Sequence, residues 1–115
     1  MLKLSNLTED EILNIVEPIM DNCLEGSNER DHEKHTKDFT DRMKSIVTPD
    51  ELKRQLSCEP KTYFTKRKFL HLFRRSGSLG VVWKQEISSS NDELINQAIF
   101  KEIEGNILID HCMIC

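Results

Sequence analysis

Hydrophobic positions recur at helical spacing between Thr8 and Gly26, and both ends of this segment carry helix signals. Thr8 followed by Glu11 forms a capping box, in which each side chain binds a backbone N–H group of the first turn. Gly26 suits the left-handed conformation that ends many helices. The pattern predicts one long helix, bent about a turn before Pro18 because proline removes a hydrogen bond. Its buried face consists of Ile12, Ile15, Val16, Ile19, Met20, Cys23 and Leu24.

Two shorter amphipathic segments follow a polar run. Residues 27–35, SNERDHEKH, lack apolar periodicity and predict a turn that passes into a short exposed helix, with Asn28 as a possible start. Segment 36–47 predicts a second helix with a narrow apolar face. This face consists of Phe39, Met43, Ile46 and Val47. Thr48 and the following proline, with a glutamate three residues after Thr48, predict a third helix that Pro60 ends.

In the second half of the chain the hydrophobic period changes from the helical value of about 3.6 residues to about 2, which is typical of strands. Residues 61–75 and 79–87 alternate in this way on either side of a turn at 76–78, SGS. After a polar loop, 94–104 and 107–114 predict two more strands. The sequence therefore predicts helices first and then an antiparallel meander of four strands.

The last predicted hairpin allows its register to be worked out. The turn signal at 105–106, Gly-Asn, implies that positions equidistant from it face each other. This register places Lys101 opposite Asp110 as a favourable charge pair, and Phe100 opposite His111. Both faces of the hairpin are then apolar, and the helices can cover only one of them. We therefore expect a homodimer that forms through the sheet face.

The order of elements is that of an α+β domain whose helices pack on one face of an antiparallel sheet. The capped N-terminal helix, the segments FTDRMKSIV and TPDELKRQL, and the strands VVWKQEI and EGNILID carry a further likeness. With them the chain resembles, over nearly its whole length, the nuclear transport factor two-like superfamily, also called cystatin-like or ketosteroid-isomerase-like. The resemblance implies a curved sheet wrapped around the first helix as a cone with a pocket, and dimers through the outer sheet face. Proteins of this type range from enzymes to binding modules, so the fold does not choose a function.

Composition fits this picture. The chain has 115 residues, with 37% hydrophobic and 31% charged residues, which suits a single globular domain over 1–115. No apolar run approaches the roughly 20 residues of a membrane span, and no signal-peptide segment is recognisable. We therefore expect a cytoplasmic protein without membrane association. In that compartment four reduced thiols are expected, at Cys23, Cys58, Cys112 and Cys115.

The net charge of −4 conceals an uneven distribution. Residues 1–60 carry 14 acidic and 8 basic side chains, whereas residues 61–115 carry 6 acidic and 8 basic ones. Six of these cations lie within 61–75, a stretch without any acid, where they are interleaved with four aromatic residues. This composition suits binding of nucleic acid or of an acidic protein. Cations also protect a sheet edge, and an acidic chain repels nucleic acid, so this function is kept as a second alternative.

Catalytic groups are harder to place. Enzymes of the resembled type use an Asp together with a Tyr or a His that projects into the cone. Tyr63 is the only tyrosine, and His71 and His111 are the best general-base candidates by type, because an imidazole titrates near neutral pH. A small isomerase, dehydratase or hydrolase built on one of them is the first alternative. A histidine without a chemical role is the more frequent case, and we predict no catalytic residue.

Two short motifs have metal-ligand residue types but simpler interpretations. Cys112 and Cys115 have CxxC spacing, but on a strand they point to opposite faces. His32 and His35 fall on one face of a helix, where a solvated polar surface is the more frequent role. We therefore expect no metal and no cofactor.

The function that the sequence predicts is that of a non-catalytic small-ligand-binding or interaction module. Its pocket is expected to be mainly apolar, and its ligand to be small and apolar or amphipathic. The residues expected to line it are Tyr63, His71, Trp83 and His111. The turn at 76–78 permits a second register that aims Trp83 at the dimer face instead.

Overall fold

The computed structural model describes residues 4–57 and 61–115, and these have the predicted α+β architecture. The helices, after a short 3-10 turn at Leu4–Asn6, are α1 (Glu9–Glu29), α2 (His32–His35), α3 (Asp41–Ile46) and α4 (Pro49–Gln55). The strands are β1 (Phe64–Arg75), β2 (Ser78–Ile87), β3 (Glu93–Ile103) and β4 (Asn106–Ile114). The strands form one curved, unclosed antiparallel sheet in the order β1-β2-β3-β4, which confirms the predicted meander.

Helix α1 begins as predicted but ends later. The Thr8 hydroxyl accepts the Glu11 N–H at 3.2 Å, and the Glu11 carboxylate accepts the Thr8 N–H at 2.9 Å, which confirms the capping box. The helix continues past Gly26, and its left-handed cap residue is Arg30, with φ 57°. The prediction that Gly26 ends the helix is wrong. This glycine instead makes room for α2, because a Cβ there would lie 2.6 Å from the Cα of His35.

Helix α2 is a single turn that Asp31 starts, since its carboxylate accepts the Lys34 N–H at 3.2 Å. The expectation that Asn28 starts this helix is wrong, because Asn28 still lies in α1. Its side-chain amide pairs with the first residue of β1 instead. Nδ2 donates to the Phe64 carbonyl at 2.8 Å, and Oδ1 accepts the Phe64 N–H at 2.9 Å. Asn28 thus occupies the free edge of β1 where that strand begins.

Helices α3 and α4 start at the threonine caps Thr40 and Thr48, and the start at Thr48 confirms the prediction. Three of the four apolar residues expected to be buried in 36–47 are buried, whereas Ile46 is 52% exposed. The buried ones are Phe39, Met43 and Val47. Helix α4 ends at Gln55, and the predicted terminator Pro60 lies outside the described residues.

The turn between β3 and β4 lies one residue earlier than predicted. Its central residues are Glu104 and Gly105, with φ values of 52° and 81°, and Ile103 pairs with Asn106. Positive φ at both central positions is the requirement of a type I′ turn, whose twist matches that of the flanking strands. The prediction of a turn at 105–106 is therefore wrong.

A bulge at Asp110 shifts the pairing of β3 and β4 once more. Phe100 pairs with Ile109, and Ile99 pairs with His111, so Asp110 is the extra residue of β4. The prediction that His111 faces Phe100 is therefore wrong. The expected charge pair is nevertheless present, since the Lys101 Nζ lies 3.3 Å from Oδ2 of Asp110.

The sheet has two unlike faces, which we call the inner face and the outer face. The inner face packs against α1 and carries Phe69, Leu72, Leu79, Val81, Trp83, Ala98, Phe100, Ile107 and Ile109. The rings of Trp83 and Phe100 are fully buried and meet edge to face, with centroids 6.4 Å apart. The outer face carries Phe73, Val82, Ile95, Ile99, Ile103, Leu108 and Met113. Both hairpin faces are thus apolar, as predicted, and none of the described helices covers the outer one.

Candidate functional site

Trp83, one of the four residues predicted to line a pocket, lies at the centre of the inner face and is fully buried. The pairing of Arg75 with Ser78 fixes the register of this hairpin, and it points Trp83 towards α1. The indole Nε1 donates to Oε2 of Glu17 at 3.1 Å. Trp83 is therefore a core residue that also joins the sheet to the helix.

Arg67 strengthens the same junction. Its side chain is only 11% exposed, and its Nη2 lies 2.5 Å from Oε1 of Glu17 and 2.6 Å from Oδ1 of Asp21. The guanidinium also lies 5.3 Å from the centroid of the Trp83 ring. Sequence reasoning missed this network because Arg67 stands in a run of cations that suggests a surface. Arg67 is neutralised within the fold and is not free to bind an external anion.

His71 and His111 lie on the outer face, where both are exposed. His71 pairs with Val82, and its ring meets the ring of Phe73 at 4.6 Å. His111 pairs with Ile99. Because β1 and β4 are the two end strands, three strand spacings of about 4.8 Å separate these histidines by about 14 Å across the sheet, and they also lie in different rows. The two imidazoles do not share one enclosed cavity.

Tyr63 precedes β1 and is exposed, with the guanidinium of Arg30 4.7 Å from its ring centroid. Its backbone also binds Ser88, whose N–H donates to the Tyr63 carbonyl at 2.9 Å. Trp83 is buried on the inner face, and both predicted histidines lie on the outer face. The structure does not bring the four residues together around one cavity.

Buried polar side chains at one end of the inner face bind each other. The amide of Asn96 donates to Oε1 of Gln85 at 3.2 Å, and the amide of Gln85 donates to the Lys66 carbonyl at 3.3 Å. The Cys112 sulfur lies 3.9 Å from Oδ1 of Asn96. Burial raises the pKa of Cys112 to about 12, so its thiol stays protonated. Since these groups satisfy one another, they are not aimed at a ligand.

The two histidines of the DHEKH segment hold the helices together, so the interpretation as a solvated polar surface is wrong. Nε2 of His32 lies 2.7 Å from the Val47 carbonyl, and Nδ1 of His35 lies 2.7 Å from the Cys23 carbonyl. Burial lowers the pKa of His35, which favours the neutral ring. Within 4–57 and 61–115, no group of three or more potential metal ligands comes together.

The cysteines of the described residues are free thiols. Cys23 is buried against α2, and burial raises its pKa well above the ordinary value. Cys112 faces inwards, whereas Cys115 is exposed at the end of the chain, so the CxxC pair does not converge on one side. Cys58 lies outside the described residues, and its predicted reduced state stays a prediction.

The outer face offers an exposed apolar surface instead of a pocket. Four of its side chains are between 41% and 52% exposed, namely Phe73, Ile95, Ile103 and Met113. At its centre Gly80 leaves room for its neighbours, since a Cβ there would lie 3.3 Å from Cβ of Phe73 and 3.7 Å from Cδ1 of Ile99. Phe73 and Ile99 thus pack over β2 and form an apolar ridge across three strands.

The charged side chains of the outer face lie towards the ends of the strands. Arg75 and Lys101 lie at the end near the β1–β2 turn. At the opposite end Lys84 forms an ion pair with Glu93, with Nζ 2.8 Å from Oε2. Both signs of charge therefore occur around the middle of the face. The middle itself carries apolar side chains together with His71, Gln97 and His111.

A shallow depression of about 480 Å³ lies at the loop between β2 and β3. It is lined by Glu86, Ile87, Ser90, Asn91, Asp92 and Glu93. This lining is mainly polar and contains none of the four residues predicted to form a pocket.

No protein-family model matches the chain, and no curated protein matches its sequence. The membership of the nuclear transport factor two-like superfamily stays a prediction, with which a long capped helix on a curved four-stranded sheet is compatible. Among the described helices, none is long and apolar enough to cross a membrane.

Proposed function

We propose that the protein is a non-catalytic interaction module that binds a second copy of itself through the outer face of its sheet. The observation that carries this proposal is the row of exposed apolar side chains on a face that no described helix covers. A monomer gains nothing by displaying this surface to water, whereas burying it releases about 25 cal/mol per Å². The resemblance stated above, which implies dimers through the same face, and a cytoplasmic location are part of the proposal.

The area of the outer face is adequate for a stable dimer. Strands of 9 to 12 residues, rising about 3.3 Å per residue, give a length of about 30 to 40 Å. Four strands about 4.8 Å apart give a width of about 19 Å. The product is roughly 570 to 760 Å², close to the roughly 800 Å² that each partner contributes to a standard interface.

The distribution of charge is also compatible with self-association. In a two-fold arrangement that exchanges the ends of the strands, Arg75 and Lys101 of one protomer approach the end of the other that carries Glu86 and Glu93 together with Lys68 and Lys84. Opposite charges then meet at the rim while the apolar ridge of Phe73 is buried at the centre.

The ligand-binding form of the predicted module has less support. Between α1 and the sheet, the space is filled by fully buried side chains, among them Ile12, Met20, Trp83 and Phe100. The alternative of an enzyme based on a histidine has no geometry to support it, because His71 and His111 are exposed and on different edges of the sheet.

The test is the oligomeric state, measured by light scattering and sedimentation at tens of micromolar protein. The wild-type chain is expected to be a dimer. Met113→Glu and Phe73→Glu are expected to be monomers, because each places a charge within the exposed apolar surface of the outer face. Ile46→Glu is the matched control, since Ile46 is equally exposed but lies on α3, and this variant is expected to remain a dimer.

Circular dichroism shows whether each variant keeps the fold. A monomeric wild-type chain at these concentrations would overturn the proposal. So would folded Met113→Glu and Phe73→Glu variants that both remain dimers, or an Ile46→Glu variant that dissociates as readily as they do.

A further inference from the structure

We infer that the free edge of β1 is a second binding surface, which takes an acidic extended peptide segment as an additional strand of the sheet. This surface lies at the side of the sheet and is distinct from the outer face. The inference rests on the backbone of one stretch of β1, on four cations beside it, and on how the rest of the sheet edge is occupied.

The stretch His71–Arg75 presents a regular, unpaired strand edge. Five consecutive residues pair with β2 without a register shift, from His71 with Val82 to Arg75 with Ser78. Within the described chain the only backbone pairing of this stretch is to β2, so its groups on the other side have no partner. Such an edge is a template for an added strand.

Other parts of the sheet edge are occupied. The start of β1 is blocked by Asn28, which binds both backbone groups of Phe64. The edge of β4 pairs with the segment before α3, since the Ile109 N–H donates to the Asp38 carbonyl at 2.7 Å and its carbonyl accepts the Thr40 N–H at 3.0 Å. The bulge between Phe69 and His71 interrupts β1 in its middle. The open stretch is therefore short and defined.

The cations of β1 that surround this edge lack internal partners. They are Lys66, Lys68, Arg74 and Arg75, all exposed. In the part of the chain that the structure describes, none of them forms an ion pair, in contrast to Arg67. Arg74 pairs with Leu79 on the inner side and Arg75 with Ser78 on the outer side. An added strand with acidic side chains thus meets a cation on either of its faces.

A second copy of the chain fits this edge poorly. Residues 61–75 carry six cations and no acid, so pairing of two β1 edges brings together two positively charged strands without a compensating acid, and like charges on paired strands destabilise them. Acidic side chains on the incoming strand have the opposite effect, because they gain charge-assisted contacts while the backbone forms the hydrogen bonds.

Nucleic acid also fits poorly, because the aromatic residues among the cations do not form one stacking surface. Phe69 turns to the inner face, and Phe73 lies on the outer face with its ring against His71. Tyr63 is stacked on Arg30. The interleaved pattern that suggests nucleic-acid binding in the sequence is therefore divided among three surfaces, and stacking of successive bases needs a continuous one.

The experiment uses three fluorescent probes and the full-length chain in low-salt buffer. The first is a capped peptide of alternating Glu and Val, the second is the same peptide with Gln for Glu, and the third is a single-stranded uridine oligonucleotide. Fluorescence anisotropy is expected to give a Kd at least about tenfold lower for the Glu peptide than for either other probe. Hydrogen exchange with the Glu peptide bound is expected to show new protection of amides within His71–Arg75.

Two matched double variants separate a local site from net charge. Arg74→Glu with Arg75→Glu is expected to weaken binding of the Glu peptide at least about tenfold. Lys44→Glu with Lys53→Glu changes the net charge equally on α3 and α4, and is expected to change Kd by less than about twofold. If the first double variant does not fold, Arg74→Gln with Arg75→Gln replaces it, with loss of at least about threefold expected.

Several results would overturn the inference. They are equal binding of the Glu and Gln peptides, equal weakening by both double variants, protection outside β1, and tighter binding of the oligonucleotide. The monomeric Met113→Glu chain, whose substitution lies on the opposite end strand, is expected to bind the Glu peptide as the wild type does. The test of the peptide site is therefore independent of the test of the proposed dimer.

Discussion

The inner and outer faces of the sheet have similar numbers of apolar side chains but very different surroundings. On the inner face, the apolar side chains form one buried core with α1, and even the indole N–H of Trp83 binds Glu17 at 3.1 Å. On the outer face, Phe73 and Met113 remain nearly half exposed. The difference shows that burial in this fold is decided by which face a helix covers and not by side-chain hydrophobicity.

Polar residues mark the same division. Gln85 and Asn96 are fully buried on the inner face, where they bind each other, whereas Ile95, next to Asn96, is 52% exposed. The inner face, which α1 covers, therefore tolerates polar groups when they are paired. The uncovered outer face retains apolar ones. Exposed apolar groups that no internal role explains point to an external partner, which is the basis of the proposed function.

The largest expected effect comes from removing one aromatic ring on each face. Trp83→Ala is expected to lower the free energy of unfolding by about 3–5 kcal/mol, because it leaves a cavity and removes the hydrogen bond to Glu17. Phe73→Ala is expected to cost less than about 1 kcal/mol in the monomer, since half of that ring is already in water. Urea unfolding in the Met113→Glu background, which is expected to be monomeric, measures both.

If Trp83→Ala does not fold, Trp83→Phe keeps most of the volume and loses the hydrogen bond, and an effect of about 1–2 kcal/mol is expected. Equal losses for Phe73→Ala and Trp83→Ala would contradict the contrast between the two faces.

The fold was predictable where a local signal had no competitor. The capping box at Thr8, the cap at Thr48 and the period of the strands indicated the order and start of the main elements. The errors occur where tertiary contacts override local signals. Gly26 reads as a helix end, but close packing of α2 against α1 requires it inside the helix. The bulge at Asp110 has no local sequence signal, and one extra residue moves His111 to the other face.

The candidate site was less predictable than the fold for the same reason. The alternation in residues 94–114 predicts two apolar faces, but it does not indicate which side chains the helices cover. The role of Arg67 depends on Glu17 and Asp21, which lie about 50 residues away in the sequence, and nothing in the cation run around Arg67 indicates them. The network around Trp83 was therefore beyond sequence reasoning.

A smaller effect is expected from two glycines that lie on the two sides of the sheet. Gly26→Ala would normally stabilise a helix by up to about 1 kcal/mol, but here its Cβ would lie 2.6 Å from the Cα of His35. Because that atom belongs to the backbone of α2, we expect a net loss of about 1–3 kcal/mol. In Gly80→Ala the closest atom is Cβ of Phe73 at 3.3 Å, so this neighbour needs to move by only a few tenths of an ångström. Thermal and urea unfolding are expected to show a change within about 0.5 kcal/mol for Gly80→Ala.

A stabilising Gly26→Ala would show that α2 is not packed against α1 as described. A loss at Gly80 as large as that at Gly26 would show that the outer face is as closely packed as the covered side.

The smallest expected effect is a pH dependence that arises at His35, on the covered side. Burial lowers the pKa of His35 below its ordinary value of 6.5, although the hydrogen bond to the Cys23 carbonyl acts in the opposite direction. Below about pH 6.5 the unfolded chain therefore binds a proton that the folded chain excludes. The stability associated with His35 is thus fully present above that pH and decreases as the pH falls towards the folded pKa.

Urea midpoints between about pH 7.5 and pH 5.5 measure the slope of the free energy of unfolding against pH in the Met113→Glu background. His35→Gln is expected to flatten the slope, whereas His71→Gln, on the outer face, is expected to keep it. An unchanged pH dependence in His35→Gln would show that the effect does not arise at this ring, which lies 5.2 Å from the ring centroid of Phe39.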